Sequence, residues 1–248
     1  MLPSKKNNFL IVIPARYNST RFPGKPLVKI KDKTMIQMVW ESCVMSSSVD
    51  NVVIATDDSR IAKHCEKVGM NYVLTSKKCK TGTDRLIEVA KKHTYDFYVN
   101  VQGDEPLVSD NDIRKVIEFH KKNKNQIVNC ITKIKDKKEF MNLNVPKVVI
   151  NKKNELIYIS RSPIPINKKN EFKKAYKQVC IYCFPRSVLL RKGIYNKKSN
   201  VEKVEDIEII RFLEYGDKIK MLELKKTTVA VDTPSDLTRV RKIVQNRR

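Results

Sequence analysis

Apolar and polar positions alternate along the first half of the chain in a pattern that predicts strands and helices in turn. Short apolar runs predict buried strands at 9–13, 51–55, 72–74 and 98–101. Apolar residues at helical spacing predict helices at 35–46, 61–68 and 84–92. Repeated strand–helix units predict a parallel sheet that has right-handed crossovers and is flanked by helices. In such sheets ligands bind at the carboxyl ends of the strands.

The pattern changes in the second half of the chain. Short apolar segments separated by Lys/Asn turns predict strands at 127–134, 146–150, 155–159 and 178–184. We interpret them as an antiparallel β lobe at 129–202. This lobe is predicted to be inserted into an α/β domain that residues 1–128 and 203–248 form together.

The last part of the α/β domain is predicted to contain a helix, a strand and a second helix. The first helix spans Glu202 to Tyr215, the strand reaches Val229–Val231, and the closing helix covers Asp236–Val244. A chain of 248 residues, 41% of them hydrophobic, is long enough to bury a substantial core. The sequence therefore predicts a globular protein.

A cytoplasmic protein without membrane insertion is expected. No apolar run approaches the ~18 residues of a membrane span, and the N-terminal apolar stretch is too short for a signal peptide. Six cysteines are scattered without the spacing of a disulfide scaffold, as in a reducing compartment. Cys180 and Cys183 lie three apart on a predicted strand and face opposite sides of the sheet, so no zinc site is expected there.

The charge of the chain is strongly positive, with 51 Lys and Arg against 27 Asp and Glu, a net charge of +24. Such an excess often indicates a nucleic-acid-binding protein. Here the cations are spread over the whole chain, mostly as Lys pairs in polar turns, and aromatic residues are not interleaved with them. No nucleic-acid partner is therefore expected, although the charge would help to attract an anionic substrate.

The loop after the first predicted strand carries a concentration of cations. Arg16, Arg21 and Lys25 lie on this loop, and Gly24 allows backbone N–H groups to approach a ligand. Cations on a turn at the carboxyl end of a strand form a cradle for a polyphosphate. The alternative is a polar surface turn in a lysine-rich protein. The loop is not a Walker motif, because no Gly-Lys-Ser/Thr follows at the required spacing.

Two aspartates follow predicted strands. Asp104 lies in the segment 99–106 beside a glycine, and Asp232 lies in the segment 229–234. Carboxylates at strand ends that face a phosphate-binding loop fit a Mg²⁺ ion that bridges a nucleoside triphosphate. The alternative is that each aspartate caps the turn or helix that follows it. A second turn, 81–85, could hold a base or a phosphate with its N–H groups and hydroxyls, or could serve only as a helix cap.

These segments belong to a longer series of motifs. In chain order they are Ile13-Pro14-Ala15-Arg16-Tyr17, Ser19-Thr20-Arg21, Pro23-Gly24-Lys25-Pro26-Leu27, Ala55-Thr56-Asp57-Asp58, Thr81-Gly82-Thr83-Asp84-Arg85, Val101-Gln102-Gly103-Asp104-Glu105-Pro106, Asn144 with Lys147-Val148-Val149, Ser160-Arg161 with Ile164-Pro165, Ile181-Tyr182, Glu202, Glu205, Glu208 and Arg211, and Val231-Asp232-Thr233-Pro234. Over nearly its whole length the chain resembles the 3-deoxy-D-manno-octulosonate (Kdo) cytidylyltransferases, or CMP-Kdo synthetases.

The resemblance implies a nucleotidyltransferase that uses CTP and Mg²⁺. Its acceptor would be a 2-keto-3-deoxy sugar acid of eight carbons, and its products a CMP-sugar and pyrophosphate, for lipopolysaccharide or capsule synthesis. The implied fold is the Rossmann-like, GT-A-like fold of nucleotidyltransferases: a mixed, mainly parallel sheet flanked by helices, with a smaller antiparallel lobe for sugar binding and dimerisation. A homodimer is implied as well.

The resemblance also assigns residues. Catalytic roles fall to Arg16 and Lys25 at the triphosphate and to Asp104 and Asp232 at Mg²⁺. Nucleotide binding is implied for Ala15, Arg16, Lys25, Thr75, Ser76, Gly82, Thr83, Arg85 and Gln102. Contact with the sugar acid is implied for Gln102, Arg161, Gln178, Tyr182, Glu208 and Arg211.

The sequence departs from the family pattern near the implied sugar site. Gln178 occurs where a histidine is expected, Cys180 and Cys183 occur where the family has Gly-Ile-Tyr-Gly, and Lys78-Cys79 replace Asp-His. Either Gln178 replaces the histidine hydrogen bond and Kdo remains the acceptor, or the acceptor is a modified acid such as 8-amino-Kdo. Two further alternatives are a nucleotidyltransferase for another acidic sugar and a non-catalytic, basic nucleic-acid-binding protein on the same fold.

Overall fold

The computed structural model describes residues 8–19, 21–225 and 229–246. The strands within them are β1 Phe9–Ala15, β2 Lys29–Ile30, β3 Lys33–Thr34, β4 Val52–Thr56, β5 Tyr72–Leu74, β6 Phe97–Val101, β7 Ile127–Lys133, β8 Lys147–Ile150, β9 Leu156–Ser160, β10 Tyr176–Pro185 and β11 Ile219–Glu223. The α-helices are α1 Met35–Ser46, α2 Ser59–Val68, α3 Gly82–Lys92, α4 Asp110–Lys122, α5 Lys137–Met141, α6 Arg186–Leu189, α7 Asn200–Glu205, α8 Ile210–Glu214 and α9 Pro234–Gln245.

One mixed sheet contains most of the strands, in the order β11-β7-β10-β6-β1-β4-β5, with β8 paired to β10 and β9 to β8. The strands β6, β1, β4 and β5 are parallel, as are β7 and β11. The strands β10, β8 and β9 pair in antiparallel fashion. The predicted fold class is confirmed: a mixed sheet with parallel central strands is flanked by helices and extended by a smaller antiparallel part.

The order of the central strands determines where a binding crevice lies. The chain runs outward from β1 through β4 to β5 and then returns to β6 on the other side of β1. Loops that follow β1 and β6 therefore leave the sheet in opposite directions, and a crevice opens between the carboxyl ends of these two strands.

Both faces of the central sheet are covered by helices. In β1, Ile11 and Ile13 face a core that contains residues of α1, α2 and α4. Leu10 and Val12 face a second core that contains residues of α3 and α8. All four side chains are fully buried. Burial on both faces explains why this strand is apolar at every position instead of alternating.

The C-terminal elements differ from the prediction in two places. The predicted helix 202–215 is two short helices, because Asp206 adopts a left-handed conformation (φ 51°) and ends α7. The carbonyls of Glu205 and Asp206 accept hydrogen bonds from the Arg161 side chain, at 2.6 Å and 3.1 Å. In an unbroken helix they would accept from backbone amides of the next turn. The predicted strand at Val229–Val231 is wrong: these residues pair with no strand within the described chain, and the Val231 amide donates to the Asp104 carbonyl at 2.8 Å.

Six elements were missing from the prediction: α4 and β11, and the short elements β2, β3, α5 and α6. Helix α4 covers Asp110–Lys122 and packs three apolar side chains, at 113, 116 and 117, against the sheet. Strand β11 covers Ile219–Glu223 and forms the edge of the sheet beside β7. The closing helix is confirmed, with Thr233 at its N-cap.

Strands of the segment 129–202 do not form a sheet of their own. The strand β10 pairs with β6 of the central sheet, and β8 and β9 continue outward from β10. The division into residues 1–128 with 203–248 and a lobe at 129–202 stays a prediction. Cys180 and Cys183 pack into different cores, on opposite faces of the sheet as expected. Among the residues described, no helix combines the length and the apolar character needed to cross a bilayer.

A buried ion cluster joins α3, α7 and α8. The Arg211 guanidinium donates to both carboxylate oxygens of Glu202, each at 2.8 Å, and to Asp84 Oδ1 at 2.8 Å. All three side chains are 0% exposed. Asp84 also accepts hydrogen bonds from the amides of Thr81 and Asn196. The cluster therefore holds the start of α3 against the last helices of the domain.

Replacing Arg211 with methionine should destabilise the fold strongly. The substitution leaves two carboxylates buried without their cation, and breaking such a cluster typically lowers the free energy of unfolding by about 3–5 kcal/mol. Urea denaturation at pH 7 measures the change. Lys121→Met is the matched control, because Lys121 and Glu118 form a surface ion pair, and its loss should stay within about 1 kcal/mol.

The pH dependence of the Arg211→Met effect checks its cause. Burial by itself would raise the pKa of Asp84, but the hydrogen bond and charge of Arg211 outweigh it and hold that pKa below its ordinary value. This contribution to stability is present above the unfolded-state pKa of about 4 and is lost on acidification. Without Arg211 the pKa of Asp84 should rise, so the variant should lose less stability at pH 5 than at pH 8. An equal loss at both pH values would contradict this account.

Candidate active site

A cleft of about 660 Å³ opens at the carboxyl ends of β1 and β6. Many of the residues assigned to a site from the sequence line it: Ala15, Arg16, Lys25, Gly82, Arg85, Gln102, Asp104, Arg161, Glu208 and Asp232. These residues come from distant parts of the chain. The fold therefore brings the predicted phosphate loop, both predicted metal ligands and part of the predicted sugar site to one place.

The turn after β1 has a shape that requires glycine. The Gly24 amide donates to the Tyr17 carbonyl at 2.8 Å, and Gly24 adopts φ 72°. A Cβ at this position would lie 3.1 Å from the Tyr17 ring, so both the backbone conformation and the space favour glycine. The Arg60 guanidinium lies 3.3 Å from the centre of the same ring and supports it from α2. This turn leads directly into Lys25.

Lys25 lies between the two predicted metal ligands. Its Nζ donates to Asp104 Oδ2 at 2.7 Å, to Asp232 Oδ1 at 3.3 Å and to the Val231 carbonyl at 3.1 Å. The Lys25 side chain is only 12% exposed, whereas Asp104 and Asp232 are 27% and 39% exposed. Arg21 reaches Asp232 from the solvent side at 3.1 Å. The two carboxylates thus converge on one cation at the wall of the cleft.

Close packing of the backbone fixes Asp104 in this position. A Cβ on Gly103 would lie 2.8 Å from the Pro14 carbonyl oxygen, so only glycine allows the ends of β1 and β6 to approach so closely. The Val231 amide donates to the Asp104 carbonyl. This backbone hydrogen bond, together with the contacts of Lys25 to Val231 and Asp232, holds the segment of Asp232 at the end of β6.

Arg16 extends from the end of β1 and is exposed in the cleft. Within the part of the chain that the structure describes, no hydrogen bond or ion pair involves its guanidinium. Gln102 lines the cleft from the end of β6 and lies near Gly82. The exposed Arg16 guanidinium and the nearby Gln102 amide are available for an anionic ligand with a polar ring.

The Glu208 carboxylate binds backbone amides at the start of α3. Its carboxylate accepts hydrogen bonds from Gly82 N at 3.1 Å and Thr83 N at 2.6 Å. Thr81 and Asp84 form a capping box that closes the same helix end. The sequence left open whether these N–H groups bind a base or a phosphate or serve in a helix cap. In the structure the Glu208 carboxylate binds two of them.

The neighbouring nucleotide-site candidates mostly face inward. Arg85 is 4% exposed and pairs with Asp57 at 3.0 Å, and it donates to Thr75 Oγ1 at 2.7 Å. The Ser76 amide donates to Glu88 at 2.7 Å. Thr75, Ser76 and Thr83 do not line the cleft as the structure defines it. Thr75 binds Arg85 and the Thr83 amide binds Glu208, and both of these partners line the cleft.

The residues assigned to the sugar acid are divided between the cleft wall and the interior. Arg161 and Glu208 reach the wall, but Gln178, Tyr182 and Arg211 do not line it. The Gln178 amide donates to Asn129 Oδ1 at 3.0 Å. Tyr182 packs in the core, with its ring 5.9 Å from that of Phe184. Arg211 is held in the buried ion cluster.

Lys198 and Asp206 line the cleft although neither was predicted to belong to a site. Lys198 Nζ lies 2.7 Å from Asp206 Oδ1. The two residues flank the short helix α7, and no motif in the sequence marks them. The predicted unbroken helix at 202–215 concealed the turn that brings Asp206 to the wall.

Comparisons with known proteins agree with this geometry. The cytidylyltransferase family model matches residues 10–236. A 3-deoxy-manno-octulosonate cytidylyltransferase of Fusobacterium nucleatum is 40% identical, covering 94% of this chain and 95% of the relative. A protein of the same name from Parabacteroides distasonis is 36% identical, covering 96% of this chain and 99% of the relative.

Solved structures show the same fold. The structure of a CMP:2-keto-3-deoxy-manno-octonic acid synthetase complexed with CTP matches with a TM-score of 0.89 and 35% identity, over 97% of this chain and 99% of that chain. A cytidylyltransferase from Leptospira borgpetersenii matches with a TM-score of 0.65 and 17% identity, over 96% of this chain and 87% of that chain. At this identity the match shows a similar fold alone. The chain therefore belongs to the cytidylyltransferases, among the 3-deoxy-manno-octulosonate cytidylyltransferases.

Proposed function

We propose that this protein transfers CMP from CTP to 3-deoxy-manno-octulosonate or a close variant of it, with release of pyrophosphate. The observation that carries the proposal is the convergence of Lys25, Asp104 and Asp232 in a cleft that also exposes Arg16. The relatives named for this activity match over nearly the whole chain. Both substrates are anions, and the net charge of +24 favours their approach.

Mg²⁺ fits the residues at this point of the cleft. Within the described chain no group of three or more His, Cys, Asp or Glu side chains could hold a metal ion. However, Mg²⁺ is commonly bound by one or two carboxylates together with substrate phosphates and water. Asp104 and Asp232 already share one cation, the Lys25 ammonium, and they would hold Mg²⁺. When bound, the ion would lower the pKa of the attacking hydroxyl and offset charge on the phosphates.

The protein residues would act by orientation and by charge. The anomeric hydroxyl of the sugar acid attacks the α-phosphorus of CTP and releases its proton to solvent. A new P–O bond forms, and the bond to pyrophosphate breaks. Arg16 and Lys25 would bind the triphosphate and stabilise the negative charge that the leaving pyrophosphate develops. Ala15, Gln102 and the turn at Gly82 would lie beside the base and ribose. No covalent intermediate is required.

The remaining candidates would hold the cleft in shape. Two contacts join the end of β5 to α3: Arg85 binds Thr75, and the Ser76 amide binds Glu88. They would position the part of the cleft that binds the nucleotide. Gln178, Tyr182 and Arg211 lie behind the acceptor side. We assign them a positioning role instead of contact with the sugar acid, because their side chains bind other parts of the protein.

A homodimer in the cytoplasm is part of this proposal. Within the described residues the strand β9 pairs with β8 only, apart from an isolated bridge between the preceding Glu155 and Lys220 of β11, and its Ile157 is 54% exposed. A free edge with an exposed apolar side chain is suited to pairing with a second copy. All six cysteines are free thiols, and CTP is a nucleotide of the cell interior. Sedimentation velocity at several protein concentrations measures the oligomeric state.

Replacing Asp104 with asparagine should abolish turnover without unfolding the protein. The substitution removes a charged oxygen ligand, and losing one electrostatic group at a reacting phosphate or carbonyl commonly lowers kcat by about 10²–10³-fold or more. Pyrophosphate release from CTP and Kdo is the measurement, with circular dichroism as the check on folding. Asp110→Asn is the matched control, because Asp110 is a surface residue of α4 that pairs with Arg114. Full activity of the Asp104 variant would contradict the metal assignment.

A substrate panel separates the proposed activity from its alternatives. The four nucleoside triphosphates are combined with Kdo, 8-amino-Kdo and other 2-keto sugar acids, with and without EDTA. We expect pyrophosphate release only with CTP, an octulosonate and Mg²⁺, and none after chelation. A higher kcat/KM for 8-amino-Kdo than for Kdo would identify the modified acid as the acceptor. Nucleic-acid binding without any turnover would favour the non-catalytic alternative.

A further inference from the structure

One fully buried charge has no part in the contacts described so far. Among the residues that the structure describes, the charged side chains with 0% exposure are Asp84, Glu202, Arg211 and Lys147. The first three bind one another in the buried ion cluster. Lys147 forms no ion pair within the described chain, and its hydrogen bonds go to backbone carbonyls. Burying a charge without an opposite charge beside it is costly, so this lysine is a candidate for a role other than stability.

The surroundings of Lys147 disfavour its charge on balance. Burial and the charge of Arg161 lower the pKa of Lys147, and the charge of Glu205 offsets them only in part. A lysine whose pKa falls on folding has a charged form that the fold destabilises. The ammonium is therefore not explained by a gain in the free energy of unfolding.

The Lys147 ammonium joins two segments of the backbone. Its Nζ donates to the Asn142 carbonyl at 3.0 Å and to the Arg161 carbonyl. The strand register places Lys147 of β8 opposite Ser160, the last residue of β9, so its side chain reaches the residue that follows the strand. One ammonium thus links the turn at 142–144 to the end of β9.

Both linked segments form part of the cleft wall. Leu143 and Asn144 follow Asn142 in the turn, and they line the cleft together with Arg161. The Arg161 guanidinium also donates to the Leu143 carbonyl, at 3.2 Å, so the two segments are joined twice. Lys147 itself does not line the cleft and lies behind them.

Arg161 keeps donors that a ligand can use. Its guanidinium has five N–H groups, and three of them donate to the carbonyls of Glu205, Asp206 and Leu143. The two that remain are enough to bind one carboxylate of an acceptor. The Arg161 amide donates to the Glu205 carboxylate at 2.9 Å. With Lys147 on its carbonyl, the backbone of Arg161 is held from both sides.

We propose that Lys147 is a positioning residue for acceptor binding. Its ammonium fixes the backbone of Arg161 against the 142–144 turn, and Arg161 then presents its remaining N–H groups to the sugar acid. The proposal rests on the proposed function and deepens it by naming a residue that acts only through Arg161. Lys147 touches no substrate, and no bond to the protein forms or breaks.

Replacing Lys147 with methionine should weaken acceptor use without weakening the fold. The substitution removes the ammonium but keeps the length of the side chain. The kcat/KM for Kdo should fall about tenfold or more, because small displacements of a binding group are costly, while the KM for CTP should stay within about twofold of the wild-type value. The urea midpoint at pH 7 should not fall, since an apolar replacement of a buried charge is often neutral or stabilising.

Lys177→Met is the matched control and should show the opposite pattern. Lys177 lies beside Lys147 in the sheet, on β10, and its largely buried ammonium pairs with Glu139. It does not line the cleft. Its loss leaves Glu139 without a cation, so the urea midpoint should fall. The kcat/KM for Kdo should stay within about twofold of the wild-type value, because the cleft wall is unchanged.

A double substitution tests whether Lys147 acts through Arg161. Arg161→Lys removes the planar arrangement of donors and keeps a positive charge, so by itself it should lower the kcat/KM for Kdo. In that background Lys147→Met should lower the kcat/KM for Kdo by no more than about twofold, because residues that act as one unit are not additive.

The outcomes separate this inference from the proposed function. A wild-type kcat/KM for Kdo in Lys147→Met would overturn the role of Lys147, and so would a clear fall in the urea midpoint of that variant, because the lysine would then serve stability. A loss of the same size in the wild-type and Arg161→Lys backgrounds would overturn the route through Arg161. A wild-type enzyme that transfers no CMP to any sugar acid would overturn the proposed function and this inference with it.

Discussion

A single lysine ammonium joins three distant parts of this chain. Lys25 binds Asp104 and Asp232, which lie 79 and 207 positions away in the sequence. Two carboxylates that approach one another repel unless a cation lies between them. Lys25 supplies that cation, and so the structure can hold its proposed metal ligands together. The turn at Gly24 and the close contact at Gly103 both serve to place these groups.

Two arginines that bind other groups of the protein stabilise the opposite wall of the cleft. Arg161 holds the backbone of the turn after α7, and Arg211 ties α3 to α7 and α8 from inside the core. A planar guanidinium with several fixed N–H donors can satisfy several acceptors at once. Arg16 is exposed in the cleft instead, and in the proposed function it binds the triphosphate.

The nucleotide side of the site could be predicted further than the acceptor side. Arg16, Lys25, Asp104 and Gln102 follow buried strands, and strand ends in a parallel sheet share one edge, so their positions follow from local pattern and fold class. Arg211 could not be placed in this way. The sequence does not show whether an arginine binds a ligand or a buried carboxylate. Only the burial of its side chain in the folded protein distinguishes these two roles.

The sequence by itself determined the alternation of strands and helices, the loops that carry the chemistry and the family. These depend on local spacing and on motifs, which neighbouring residues specify. The tertiary structure alone decided which side chains face the cleft. The break at Asp206, the binding of Glu208 to the amides of α3 and the pair that Lys198 forms with Asp206 all involve contacts between distant segments. Such contacts are set by packing and charge in the folded chain, and no local pattern encodes them.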